Sequence, residues 1–125
     1  MEKKIIATKD APAAVGPYSQ AVVYGDLFFC AGQIGLDPVS GLLPDSLEAQ
    51  TRQIFKNLKA VLQEAEMSLD NVLQATLYLV SMKDFDLVNR VYAEHFSEPY
   101  PARVAVEVSA LPKAALVEIA VVAGR

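Results

Sequence analysis

Hydrophobic and polar positions change period several times along the chain, and each change marks an element. Residues 4–8 are a short, partly apolar run beside a stretch of Asp, Pro and Gly at 10–17, which predicts a brief strand and then an ordered connector. Two β-branched and aromatic runs follow, Ala21-Val22-Val23-Tyr24 and Leu27-Phe28-Phe29-Cys30-Ala31, around Gly25-Asp26. That is a hairpin pattern, with glycine where the turn needs positive φ. Residues 37–45 carry loop chemistry. Helical spacing then takes over: Asp45 with Glu48 resembles a capping box, and Leu47, Thr51, Ile54, Leu58, Val61, Leu62 and Ala65 form a stripe that predicts a helix to about Glu66.

Residues 72–80 alternate, with Leu73, Ala75, Leu77 and Leu79 on one face and Val72, Gln74, Thr76, Tyr78 and Val80 on the other. Ser81 with Asp84 opens a second helix whose stripe is Phe85, Val88, Tyr92 and Phe96; Asn89 lies beside it, and Pro99 and Pro101 end it. Strand runs at 103–108 and 116–123 complete an α+β order: about six strands in a mixed or mostly antiparallel sheet, with two helices on one face. Both faces of the last strands are apolar, with Val104, Val106 and Val108 against Ala105, and Val117, Ile119 and Val121 against Leu116, Ala120 and Val122. Two helices cover one face only, so a closed homo-oligomer is expected on the other. An antiparallel sheet with an apolar outer face is the alternative.

Composition narrows the picture. A chain of 125 residues, 53% hydrophobic and 21% charged, with 6 Gly and 7 Pro and no repeat or linker, is expected to be a single domain over 1–125. The net charge of −4 and the lack of a basic run beyond Lys3-Lys4 argue against nucleic acid as a partner. One Cys cannot form an internal disulfide, and one His with one Cys cannot build a structural zinc site. No segment reaches the length of a secretion signal or a membrane span. A soluble, cytoplasmic protein with no metal or organic cofactor and no membrane partner is therefore expected.

The informative polar residues sit inside apolar strand patterns. Arg103 opens a strand and shares a face with Ala105 and Glu107, and Glu118 interrupts Leu116-Val117-Glu118-Ile119-Ala120. A carboxylate in such a run is costly unless paired. Either the two residues pair with each other or snorkel from sheet edges, or the guanidinium holds a ligand carboxylate two-pronged while the carboxyl group moves a proton. Tyr18 projects from a loop stiffened by Gly16 and Pro17, either as a core plug or as a pocket wall. The glycines of Ala31-Gly32-Gln33-Ile34-Gly35 permit close backbone approach, without the spacing of a dinucleotide or phosphate loop. Cys30 reads as a core residue with no activating His, and His95 as a helix-surface residue.

Four segments together carry a resemblance over essentially the whole chain. Residues Ala11 through Gln20, Ala31-Gly32-Gln33-Ile34, Val88-Asn89-Arg90-Val91-Tyr92, and Pro101 through Val108 with Leu111-Pro112-Lys113 are similar to the Rid/YjgF family, in particular its RidA branch. The resemblance implies a chorismate-mutase-like fold assembled as a homotrimer, with a central β-barrel and ligand clefts between subunits. It also implies cofactor-free hydrolysis of 2-iminobutanoate and 2-iminopropanoate, reactive products of pyridoxal-phosphate-dependent threonine and serine dehydratases, to 2-oxo acids and ammonia.

By the same resemblance Arg103 is the carboxylate-binding arginine and Glu118 the acid that manages water and the proton. Tyr18 walls the cleft, Gly32 makes a close backbone contact, and Asn89 shapes the pocket, some of them reaching it from a neighbouring subunit. Two positions depart from the family's frequent residues: Ala31 where Ser is common and Ala105 where Cys is common. Backbone groups of Ala31 and Ala105 are expected to do the work there. A non-catalytic trimer that senses 2-oxo acids is the alternative function. A ribonuclease or translation-inhibitor role fits the acidic charge and the lone His less well.

Overall fold

The computed structural model describes residues 1–125 and contains six strands and two α-helices. Strands β1 (Lys3–Ile6), β2 (Ala21–Tyr24) and β3 (Leu27–Cys30) precede helix α1 (Leu47–Glu64); β4 (Val72–Leu79), α2 (Phe85–His95), β5 (Ala102–Glu107) and β6 (Val117–Gly124) follow. One mixed sheet has the order β1-β2-β3-β6-β4-β5, in which the β4–β5 pair is parallel and the others antiparallel. The parallel pair is joined through α2, as a parallel connection requires a crossover. The expected α+β architecture is present, and no helix is long and apolar enough to cross a membrane.

Local differences have local causes. The hairpin turn forms as the sequence predicts, with Gly25 at φ 61°. The N-cap of α1 is Ser46, one residue after the expected Asp45; its hydroxyl accepts from the Ala49 amide at 3.1 Å. Glu48 instead pairs with Arg52 on the exposed helix surface. The helix ends at Glu64, two residues before the expected Glu66, because Glu66 takes the left-handed conformation at φ 59°. Met67 then donates to the Leu62 carbonyl and Glu66 to that of Gln63, both at 2.9 Å, which satisfies carbonyls the helix leaves open. Ser81 caps a 3-10 turn, Met82–Asp84, that leads into α2.

The alternation expected for β4 fails at its start. A register shift between Val72 and Gln74 lets Val72 point into the core and leaves Leu73 52% exposed. A bulge adds one residue and so reverses which face the preceding side chains occupy.

The core lies between the helices and one face of the sheet. Ile54, Phe55, Leu58, Val61 and Leu62 of α1 and Val88 and Val91 of α2 are fully buried, as are Phe28, Leu77, Leu79, Val117 and Ile119 of the sheet. Burial of each such side chain contributes about 1.5–3 kcal/mol. The other sheet face is uncovered by this chain and largely apolar: Ile5, Tyr24, Phe29 and Val104 are each about half exposed.

Candidate functional site

Register decides where the two candidate charges go. Arg103 of β5 lies opposite Ala75 of β4, and Ala75 points into the helix-covered core with Leu77 and Leu79. Glu118 of β6 lies opposite Tyr78, one residue out of phase, and therefore on the uncovered face. The two side chains leave opposite faces of one sheet, and neither makes an ion pair. Mutual pairing within one chain, one of the readings the sequence leaves open, does not occur.

Around Arg103, α2 supplies the partners. Nη1 donates to Asn89 Oδ1 at 2.6 Å, and the guanidinium carbon lies 4.8 Å from the Tyr92 ring centroid and 5.2 Å from that of Phe85. Helical spacing puts Phe85, Asn89 and Tyr92 on one flank, which is why a single arginine meets all three. Arg103, Asn89, Tyr92, Tyr100 and Pro101 line a cavity of about 450 Å³. The guanidinium is exposed, held on a platform, and keeps donors to spare, the arrangement that suits two-pronged capture of a carboxylate. Ala105, two residues on, packs against the core from the outermost strand, where one row of backbone groups has no strand partner.

Around Glu118 a second cavity of about 550 Å³ opens, lined also by Tyr18, Ala31, Gly32, Pro112 and Lys113. Partial burial raises the Glu118 carboxyl above its ordinary value, as loss of hydration disfavours the charged form. Gly32 exists to make that placement possible: a Cβ there would overlap Glu118 Oε2. Gly32→Ala is expected to push the carboxyl into solvent and return its titration toward the ordinary 4.5, measured by carbon NMR of the side chain; an unchanged titration contradicts the steric account. Ala31 donates its amide to the Gln20 carbonyl at 2.9 Å, so of its two backbone groups only the carbonyl is open to a ligand. Lys113, in the wall of this cavity, and the next residue Ala114 both sit at positive φ, 57° and 58°. Such backbone costs about 1–3 kcal/mol per residue and collects at functional sites.

The structure therefore assembles two clusters, Tyr18, Ala31, Gly32 and Glu118 on one side and Asn89, Arg103 and Ala105 on the other, and does not join them within one chain.

Three residues without a role in the sequence reading hold the walls in place. Buried Gln20 donates to the carbonyls of Pro12 at 2.7 Å and Thr8 at 3.1 Å and accepts from the Thr8 amide at 2.7 Å, fixing the loop that leads to Tyr18. Asn57, fully buried, donates to the Leu36 carbonyl at 2.9 Å and the Ile34 carbonyl at 3.3 Å. Gln50 accepts from the Leu116 amide at 3.0 Å and donates to the Pro44 carbonyl at 3.0 Å. The sequence signal of Gln50 and Asn57 is a polar side chain within or beside the apolar stripe of α1, where burial demands hydrogen bonds.

Cys30 is a core residue, and His95 is half-buried on the side of α2. The Cys30 thiol is buried and pushed up to about 12 by desolvation, which leaves no thiolate at neutral pH. His95 donates Nδ1–H to the Val91 carbonyl at 2.8 Å and stacks on Phe55 at 4.2 Å, more buried than a surface residue. No group of three or more His, Cys, Asp or Glu is placed to hold a metal ion.

Comparison with known proteins agrees with this anatomy. A family model described as endoribonuclease L-PSP matches residues 8–124. A RutC family protein of Pyrococcus horikoshii is 50% identical over 122 residues, covering 97% of each chain. A 2-iminobutanoate/2-iminopropanoate deaminase of Bos taurus is 43% identical over 122 residues, covering 97% of this chain and 89% of the relative. The crystal structure of RidA from Psychrobacter sp. PAMC 21119 superposes with a TM-score of 0.95 at 43% identity, covering 98% of this chain and 99% of that one.

Proposed function

The chain belongs to the Rid/YjgF family, and from that premise we propose that it hydrolyses 2-iminobutanoate and 2-iminopropanoate to 2-oxo acids and ammonia, in clefts between the subunits of a homotrimer. The observation that carries this reading is the opposite placement of Arg103 and Glu118 across one sheet. Each is unpaired and beside its own cavity, so a second copy of the chain must complete a site containing both. The uncovered apolar face offers the contact surface, and closing it into a barrel removes it from water. The bovine relative, named for this activity, supports the substrate class.

Arg103 takes the carboxylate of the 2-imino acid with its free donors, while Asn89 and the two rings fix its angle. With the imine nitrogen protonated, water adds to C2 as the C=N π pair moves onto nitrogen, and the ionised Glu118 accepts the proton that water loses, giving the neutral carbinolamine. Glu118 returns that proton to the nitrogen; the C–N bond then breaks as the hydroxyl oxygen forms the C=O bond, and the hydroxyl proton passes through the ionised Glu118 to the departing ammonia, leaving the 2-oxo acid and ammonium. Its raised pKa brings the carboxyl closer to the range in which it both accepts and donates at neutral pH. The chemistry needs neither metal nor organic cofactor, and it would act downstream of a dehydratase that releases the imine.

Ribonuclease chemistry finds little support in this chain. Its one histidine is tied to a helix carbonyl and a phenylalanine ring, and its net charge is −4. A purely sensory trimer shares the Arg103 site but predicts binding of 2-oxo acids without turnover. The test is imine loss when a threonine dehydratase supplies 2-iminobutanoate, with and without the protein, alongside its mass in solution. Acceleration by a three-chain species is expected. An unchanged rate sinks the deaminase, and a monomer sinks the composite cleft.

A further inference from the structure

We propose that the Tyr92 hydroxyl is a second reader of the substrate carboxylate, donating a hydrogen bond to the anion that Arg103 holds; this rests on the carboxylate-binding reading of Arg103 given above. Tyr92 is 4% exposed, and its hydroxyl is fully buried with no hydrogen-bond partner in the protein. No other buried side-chain nitrogen or oxygen is left so. The fold accounts for the ring and not for the oxygen. The ring packs edge-on to Phe55 at 6.2 Å and against Phe96 at 4.6 Å, and it supports the guanidinium of Arg103 at 4.8 Å. Phenylalanine would make all of those contacts without burying an unpaired hydroxyl, which costs stability.

The surroundings say what the hydroxyl is for. Tyr92 and Arg103 line the same cavity, and Arg103 commits only Nη1, to Asn89. A carboxylate offers about four lone-pair positions, more than one guanidinium edge occupies, so a neighbouring O–H donor has a place on it. Burial raises the phenol above its ordinary value even beside the Arg103 charge, so it remains a donor at working pH. A phenol oxygen and a guanidinium converging on one oxyanion would also distinguish a 2-imino acid from its amide or ester.

Tyr92→Phe tests this by three readouts: binding of 2-oxobutanoate by calorimetry, KM and kcat for 2-iminobutanoate, and thermal unfolding. Loss of one hydrogen bond to a charged group is expected to raise Kd and KM about tenfold or more. Because the bond is present in both ground and transition states, kcat stays within about twofold. Tm is expected to be equal or higher, since an unpaired buried hydroxyl is gone. Unchanged affinity overturns the proposal, and so does a weakened affinity accompanied by a lower Tm, which would mark a structural role. Arg103→Ala measured in parallel separates the two readings: if it too binds like the parent, the arginine site itself fails, whereas if it loses binding and Tyr92→Phe keeps it, only the tyrosine proposal falls.

Discussion

Replacing Arg103 by alanine is expected to lower kcat/KM for 2-iminobutanoate by about 10²–10⁴-fold. A two-pronged contact comprises two hydrogen bonds to a charged group, each worth about 1.5–3 kcal/mol, and every 1.4 kcal/mol is about tenfold. The fold should barely notice. Arg103 is exposed, has no ion pair, and contributes to its own chain one hydrogen bond and two ring contacts. Thermal unfolding within a few degrees of the parent, together with the lost activity, is the expected pair of results. Arg103→Lys is also expected to be impaired, because a single ammonium cannot donate along two parallel lines or lie flat on Tyr92 and Phe85. A lysine variant as active as the parent would show that charge alone binds the substrate and that the planar platform is irrelevant.

Glu118→Gln is expected to cost about 10²–10⁴-fold in kcat, the usual contribution of a positioned proton carrier. The amide keeps the shape that fits against Gly32 and removes only the exchangeable charge. The parent enzyme should lose activity on acidification through the raised pKa of Glu118, an acid limb displaced upward from the ordinary glutamate value of 4.5. Stability moves the other way. A carboxyl whose folded pKa lies above its unfolded one adds stability below the unfolded value, and that contribution is lost as pH rises through the folded value. At neutral pH the ionised group is a liability to the fold, so Glu118→Gln should melt no lower than the parent while being nearly inactive. A variant that retains turnover above pH 7 would transfer the proton role to water or to a backbone group.

Main-chain groups stay available at both Ala31 and Ala105. Ala31 keeps its carbonyl open in the Glu118 cavity while its amide is held by Gln20, a bond that any side chain at position 31 permits. Ala105 follows Arg103 along the outermost strand, whose outward backbone groups depend on no side chain.

Much of the fold is legible in one dimension because its causes are local. Periods of 3.6 and 2 place both helices and all six strands to within a few residues, and Gly25-Asp26 announces its turn. Errors arise where another local device competes. Ser46 outbids Asp45 as the cap, Glu66 accepts a left-handed conformation that glycine usually takes, and one extra residue at the start of β4 turns Leu73 outward. Of the site, the individual chemical types are legible because a charge inside an apolar run needs a reason, and that logic finds Arg103 and Glu118. The same logic applied to α1 would have found Asn57 and Gln50, polar residues that burial obliges to bond with loop carbonyls and amides.

What the sequence by itself determined is therefore the inventory: an acidic chain with an α+β order of elements, an arginine and a glutamate set inside apolar strand runs, and a sheet with two apolar faces. Only the tertiary structure decided that Arg103 and Glu118 leave opposite faces of that sheet, that Glu118 is desolvated against Gly32, and that the Tyr92 hydroxyl is buried beside the guanidinium without a partner. The reason is physical. Which residue type a position needs follows from its immediate neighbours in the chain, whereas which face it occupies follows from strand register, and register is set by pairings between segments far apart in sequence.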